Sequence, residues 1–231
     1  MLGLSPAEWT AIELSLRIAI VATACALPFG IAIGWLLARK EFWGKTLLDG
    51  LVYLPLVLPP VVTGYLLLIS FGRRGPIGAF LADYFGIVFS FRWTGAALSC
   101  GVMGFPLMVR PIRLAIETID RRLEDAAATL GANRALVFLT VTLPLALPGV
   151  IAGVVLCFAR ALGEFGATIT FVSNIPGETQ TISAAIYTLL QIPDGDAAAG
   201  RLVLIAIVIA LAALIASEWF ARRAGMRFQG E

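Results

Sequence analysis

Histidine is absent from this 231-residue chain, and with it the commonest acid–base catalyst and metal ligand. The carboxylates Asp49, Asp83, Asp120, Asp125, Asp194 and Asp196 fall in connecting segments or at the ends of apolar runs. No two acids share the interior of one run, so neither a carboxylate pair nor a Ser–His arrangement can form there. WGKT at 43–46 invites a nucleotide-binding reading, but a phosphate-wrapping loop needs GxxxxGK(S/T), and Arg39 stands where its first glycine belongs. A basic turn is the expected role. Cys25, Cys100 and Cys157 lie far apart in apolar runs, as packing thiols do, and not as a disulfide framework or metal site. Neither a catalytic residue nor a metal site is expected.

Two groupings remain. Arg160 and Glu164 lie four apart near the end of an apolar run, on one helix face. An ionisable pair there either serves a pathway or neutralises itself and fixes its helix against the neighbours. Thr168, Thr170, Ser173 and Asn174 follow in a polar run, where they either line an outer mouth with neutral donors or solvate a loop. The second grouping is EDAAATLGANRALVFLTVTLP, Glu124 to Pro144. Arg121 to Leu130 are helix formers with charge at Arg121, Arg122, Glu124 and Asp125, and Ala126, Ala127, Leu130 and Gly131 make a small-residue patch at helical spacing. Gly131 can end the helix or admit another backbone. Small residues suit a groove on another protein, and the patch lacks the Trp or Phe of a lipid anchor.

What holds these groups is membrane. Hydrophobic residues are 59% of the chain and only 14% are charged. With a mean hydropathy of +0.92, lipid must be the solvent. A net charge of +2 gives no reason to expect nucleic acid. The N-terminus carries Glu8 and Glu13 and no basic n-region, so no cleaved signal peptide is expected. A bilayer core of roughly 30 Å takes about 20 apolar residues as helix. Five stretches meet this: 14–38, 51–71, 93–114, 144–165 and 200–221. The expected fold is all-α, one polytopic membrane domain over 1–231 with a cytoplasmic helical segment at 120–142. Eleven of the 17 Lys and Arg residues then lie on one side, which puts the N-terminus outside and the C-terminus in the cytoplasm. Pro76–Phe91 is apolar enough to imitate a sixth span. Counting it would split the basic clusters and bury Asp83, so it is expected on the outer surface. Thr181–Ile192 is too short to span and belongs to the outer loop. LPLVLPPVVTG at 54–64 and LPLALPGVIAG at 143–153 agree at seven of eleven positions, as two proline-initiated helix starts or as a remnant repeat.

DAAATLG, nine residues and then VTLP, Asp125 to Pro144, resembles the EAA loop of ABC-importer permeases, with Asp125 for the usual Glu and Val141 for the usual Ile. The resemblance runs from ELSLRIA at 13–19 through the last span. GEFGATITFVSNIPGETQTISAAIYTLLQ at 163–191, YLPLVLPPVVTGYLLL and FPLMVRPIRLAIE look most like the molybdate branch, with sulfate permeases next to it. It implies a type I importer permease fold in the bacterial inner membrane. The 120–142 segment would then be a coupling helix in a cleft of the ATPase. Glu124 or Asp125 would face polar or basic groups of that cleft, Ala126 and Ala127 would permit close approach, and Gly131 would make the turn. Leu143 and Pro144 would open the next span. The implied partners are two ATPase subunits, which hold ATP and Mg, a second copy of this chain, an extracytoplasmic molybdate-binding protein, and lipid. This chain would bind no cofactor itself.

Overall fold

The computed structural model describes the backbone of residues 4–228 and the side chains as far as Ala216, and every element in that range is helical. The side chains of Arg222, Arg223 and Arg227, and the C-terminus placed in the cytoplasm above, lie outside the described residues. α1 (Pro6–Arg39) opens on a reciprocal cap. The Glu8 N–H donates to Ser5 Oγ at 3.2 Å and the Ser5 N–H donates to Glu8 Oε2 at 2.6 Å. α5 (Trp93–Glu117), α8 (Leu143–Leu162) and α11 (Asp196–Phe228) are the other long apolar helices.

Side-chain ties fix how these helices run. Arg201 Nη2 of α11 meets Glu8 Oε1 of α1 at 2.9 Å. Arg17 lies 4.0 Å from the centroid of the Trp93 ring, and Arg39 Nη2 donates to the Ile119 carbonyl at 3.1 Å. α1, α5 and α11 therefore run in the same direction. Cys100 Sγ donates to the carbonyl of Ala161 at 3.5 Å, so α8 returns antiparallel to α5. One end of the bundle carries Arg39, Lys45, Asp49 and Arg113. The other carries Glu8, Arg17, Trp93 and Glu164.

The stretch expected as one span at 51–71 is instead two helices, α2 (Lys45–Val57) and α3 (Pro60–Phe71), which meet at a bend of 115°. The cause is Pro59–Pro60. A residue before proline is pushed out of the helical region, and here two in succession are pushed. Leu58 (φ −71, ψ 142) and Pro59 (φ −53, ψ 135) are both extended. The matching motif at 143–153 has Gly149 in place of the second proline, and α8 runs through Pro148 unbroken. The two copies share sequence and differ in shape. The bent pair still carries the chain from one end to the other. Asp49 of α2 meets Arg113 Nη1 at 2.7 Å, while Ser90 Oγ, beyond α3, accepts the Arg73 N–H at 3.1 Å beside the start of α5.

α4 (Pro76–Phe85) lies at the end where α5 starts, with Phe80, Tyr84 and Asp83 exposed. Its ten residues reach about 15 Å, too short to cross. α10 (Ile182–Leu189) is likewise short and packs on α1 and α11 through Ile182, Ala185 and Leu202. The Ile182 N–H donates to Ser15 Oγ at 2.7 Å.

In lipid, apolar helices gain nothing by leaving water, so contact must come from close fit and small residues. Gly30 and Gly34 of α1, and Gly149 and Gly153 of α8, form two GxxxG faces that close on Met108, Pro111 and Ile112 of α5. A Cβ at Gly153 would sit 2.6 Å from the Met108 carbonyl oxygen, and one at Gly34 would sit 2.9 Å from Ile112 Cγ2. Backbone cannot step aside as a side-chain tip can. Gly153→Leu is thus expected to destabilise by about 3 kcal/mol, the upper end for overpacking. Gly200→Leu, where a Cβ meets nothing within 4 Å, should cost nothing. Thermal unfolding of a Cys25→Ser background, followed by labelling of the buried Cys100 and Cys157 thiols, would measure both.

Candidate functional site

α6 (Arg121–Thr129) is the only helix of eight or more residues that buries no residue, among the described ones. Asp120 caps it, its carboxylate accepting from the Arg122 N–H at 2.9 Å. At the far end Gly131 takes φ +89, open to glycine without strain. The Gly131 N–H then reaches the Ala128 carbonyl at 3.0 Å, and the Ala132 N–H reaches that of Ala127 at 3.2 Å. These two bonds are the Schellman closure, and they satisfy carbonyls that the helix end would otherwise leave bare. Asn133 at once caps α7 (Arg134–Val137), accepting from the Leu136 N–H at 2.9 Å. A widened π-turn, Phe138–Thr142, then leads into α8, with the Leu143 N–H on the Phe138 carbonyl. Pro144 explains the widening: it has no N–H for the Thr140 carbonyl, and its ring would crowd that oxygen in a regular helix. Leu143 and Pro144 thus join the polar segment to α8.

Leu123, Ala126, Ala127 and Leu130 fall at i, i+3, i+4 and i+7, a single apolar stripe along α6. Leu123 is 51% exposed and Leu130 is 89% exposed. Ala126 is exposed as well and Ala127 half-buried, so the described residues leave most of this stripe uncovered. Leu123 was missed in the sequence reading, though its helical spacing could have found it.

The two neighbouring acids separate. Asp125 is exposed, on a side of α6 away from most of the stripe, and lines the cavity beside Glu124. Glu124 is turned inward, where its Oε1 accepts from Thr142 Oγ1 at 2.6 Å, Arg39 Nη2 at 3.2 Å and Arg39 Nε at 3.3 Å. Only 8% of the Arg39 side chain and 18% of that of Glu124 reach solvent. Arg39 and Thr142 were not predicted at all. Arg39 lies 85 residues from Glu124, and no periodicity connects them. Beside this cluster a cavity of about 340 Å³ is lined by Trp35, Lys40, Arg121 and Arg134 among others.

At the opposite end, Glu164 is 1% exposed and occupies the break between α8 and α9 (Gly166–Val172). Its Oε1 accepts the Ala167 N–H at 2.7 Å, which caps α9, while Arg160 Nη1 lies 2.6 Å from Oε2. The Glu164 charge is spent on capping α9 and on Arg160, whose own side chain still reaches solvent. Thr168 and Thr170 turn their hydroxyls back to the carbonyls of Phe165 and Gly166, both at 2.8 Å. Thr168 is buried, and Thr170 faces α3 at Gly64. Ser173 is exposed at φ +67, and Asn174 Nδ2 donates to Thr188 Oγ1 at 2.8 Å, leaving Oδ1 buried without a partner.

A bundle of membrane-length helices that holds a polar, capped helix with an uncovered apolar stripe at one end is the architecture of a transporter's membrane subunit. Residues 30–226 match the family described as "Binding-protein-dependent transport system inner membrane component", and this chain belongs to that family. It is therefore a multi-pass inner-membrane protein. It is 61% identical over 219 residues to the molybdenum transport system permease protein ModB of Escherichia coli (strain K12), covering 95% of this chain and 96% of that protein. It is 57% identical over 216 residues to the ModB of Haemophilus influenzae, covering 94% of each. A solved bacterial ABC transporter, involved in the import of the acidic polysaccharide alginate, has the same fold. The TM-score is 0.74 at 20% identity, over 95% of this chain and 80% of the other.

The geometry of Arg160 and Glu164 makes the two unequal. Removing Arg160 strands a carboxylate with almost no solvent, whereas Arg160 is 27% exposed and retains water if Glu164 goes. Arg160→Met is expected to cost about 3 kcal/mol, the scale for breaking a buried pair. Glu164→Gln, which keeps the acceptor for Ala167, should cost less. Thermal unfolding of the two variants would give the order, and equal or reversed losses would contradict it.

Proposed function

We propose that this chain is the permease subunit of an ATP-driven molybdate importer, with tungstate as the other tetrahedral dianion it passes. The observation that carries the reading is the uncovered stripe Leu123–Ala126–Ala127–Leu130 on a capped helix, in a chain 61% identical to a molybdenum permease. An exposed apolar row this regular on a helix with no buried residue needs a groove on a partner. The partner is an ATPase subunit, and Asp125 and the basic residues Arg121 and Arg122 set the polar rim of the contact. ATP and Mg reside on that subunit. Two copies of this chain enclose the pathway, each bound to one ATPase, and an extracytoplasmic binding protein delivers the anion.

The α6 end faces the cytoplasm. Eleven of the 17 basic residues belong to it by sequence, and the opposite end holds the remaining six. The N-terminus is then outside and the C-terminus inside. Closure of the two ATPases moves the two α6 helices, and the bundles tilt between outward- and inward-open arrangements, a rigid-body switch biased by nucleotide. Thr168, Thr170, Ser173 and Asn174 sit towards the outer end. With the two threonine hydroxyl protons committed to carbonyls, what those side chains offer an anion is contact without a tight oxyanion grip.

Leu123→Glu combined with Leu130→Glu touches no buried residue, so membrane abundance should be unchanged while co-purifying ATPase falls at least tenfold. Full recovery of the ATPase would remove the docking role of α6. Uptake in proteoliposomes containing this chain, its ATPase and its binding protein should require ATP and resist excess sulfate. Uptake blocked equally by sulfate would reassign the substrate.

A further inference from the structure

The coupling helix is attached to the bundle in an unusual way. It buries no residue, it ends on Gly131 at φ +89, and it starts at Asp120 straight after the Thr118–Ile119 turn. A helix held only by such ends would swing on them when pulled, and the spans would stay where they were. Glu124 is what prevents this. It receives Arg39 from the last turn of α1 and Thr142 from the π-turn that opens α8, while Arg39 holds the Ile119 carbonyl beyond α5. α1, the start of α8 and α6 therefore meet at one carboxylate, and Arg39 extends the tie to the end of α5. The aromatic rings of Trp35 on α1 and Phe138 in the π-turn add an edge contact at 6.1 Å on the same side.

We infer that Glu124 is a positioning residue: it clamps the coupling helix to α1 and α8, so that force from the ATPase reaches the spans, while Asp125 is the acid that meets the partner. This rests on reading α6 as the ATPase-docking helix. It divides the labour between two adjacent carboxylates that the sequence alone leaves interchangeable. The π-turn fits the scheme, because a widened turn directs Thr142 Oγ1 at Glu124 just where the chain must also accommodate Pro144.

The test uses the full complex in proteoliposomes and reads two quantities, ATPase subunits retained per permease and anion transported per ATP hydrolysed. Glu124→Ala should retain the ATPase at wild-type stoichiometry and lower transport per ATP at least tenfold. Asp125→Arg should instead lose the ATPase. The exchange Arg39→Glu with Glu124→Arg, which rebuilds the pair in reverse, should restore transport per ATP to within threefold of wild type. A purely local structural role would not be rescued in this way. If Glu124→Ala fails to accumulate, Glu124→Gln is read in the same assay, where at least a threefold loss supports the clamp and an unchanged ratio overturns it. Loss of the ATPase from Glu124→Ala without rescue by the exchange would make Glu124 a partner contact and overturn the inference. Absence of the ATPase from the wild-type preparation would overturn the docking reading itself.

Discussion

A polar-faced helix that buries nothing can be joined to an apolar bundle only through its ends or through a specific polar tie. In this chain the tie is Glu124, which gathers Arg39 and Thr142 at a site where both charged side chains are largely withdrawn from water. Partial burial strengthens the attraction, and three donors occupy the carboxylate that would otherwise be costly to desolvate. The arrangement leaves the other face of α6 free. Leu123 and Leu130 project outward because Glu124 points inward, a consequence of helical period and nothing else.

The tie is of use only if the body it joins is stiff. That stiffness comes from α5. Lipid supplies no hydrophobic incentive for α1 and α8 to approach it, so the GxxxG face of α8 closes on the backbone of Met108 and Pro111, and that of α1 on the side chains of Met108 and Ile112. At the other end Arg160, Glu164 and the N-terminus of α9 form a closed polar unit, and Glu8 with Arg201 joins α1 to α11. Each long helix is thus fixed to α5 or to α1, and displacement of one end must be shared.

Much of this was legible in the sequence, for physical reasons. Lipid demands long apolar runs, so α1, α5, α8 and α11 stand out by composition. The spacing from Asp125 to Pro144 picked out the polar segment that holds α6, and of the two roles open to Gly131, ending the helix is the one its φ of +89 fulfils. The broken span did not show, because hydropathy registers apolar length and not direction. Pro59–Pro60 was the available signal, because two successive pre-proline residues force a bend. The separate fates of Glu124 and Asp125 were beyond any local reading. Adjacent positions on a helix differ by about 100° in direction, and only the tertiary position of Arg39 decides which one faces the bundle. For Thr168 and Thr170 the sequence leaves outer-mouth donors and loop solvation both open, because it cannot show that each hydroxyl is already bonded to a carbonyl of its own helix turn.

The central claim is that α6 and the end of α1 move as one body. Spin labels at the exposed positions Lys40 and Ala128 of one permease, and in a second sample at Ala128 of both copies, in the complex assembled with its ATPase, would measure this directly by pulsed dipolar spectroscopy. The account predicts that the Lys40–Ala128 distance distribution keeps its centre and width when ATP binds, while the Ala128–Ala128 distance between the two copies changes. A shift of the Lys40–Ala128 distance on ATP binding would mean that α6 swings alone on Asp120 and Gly131, and would contradict it.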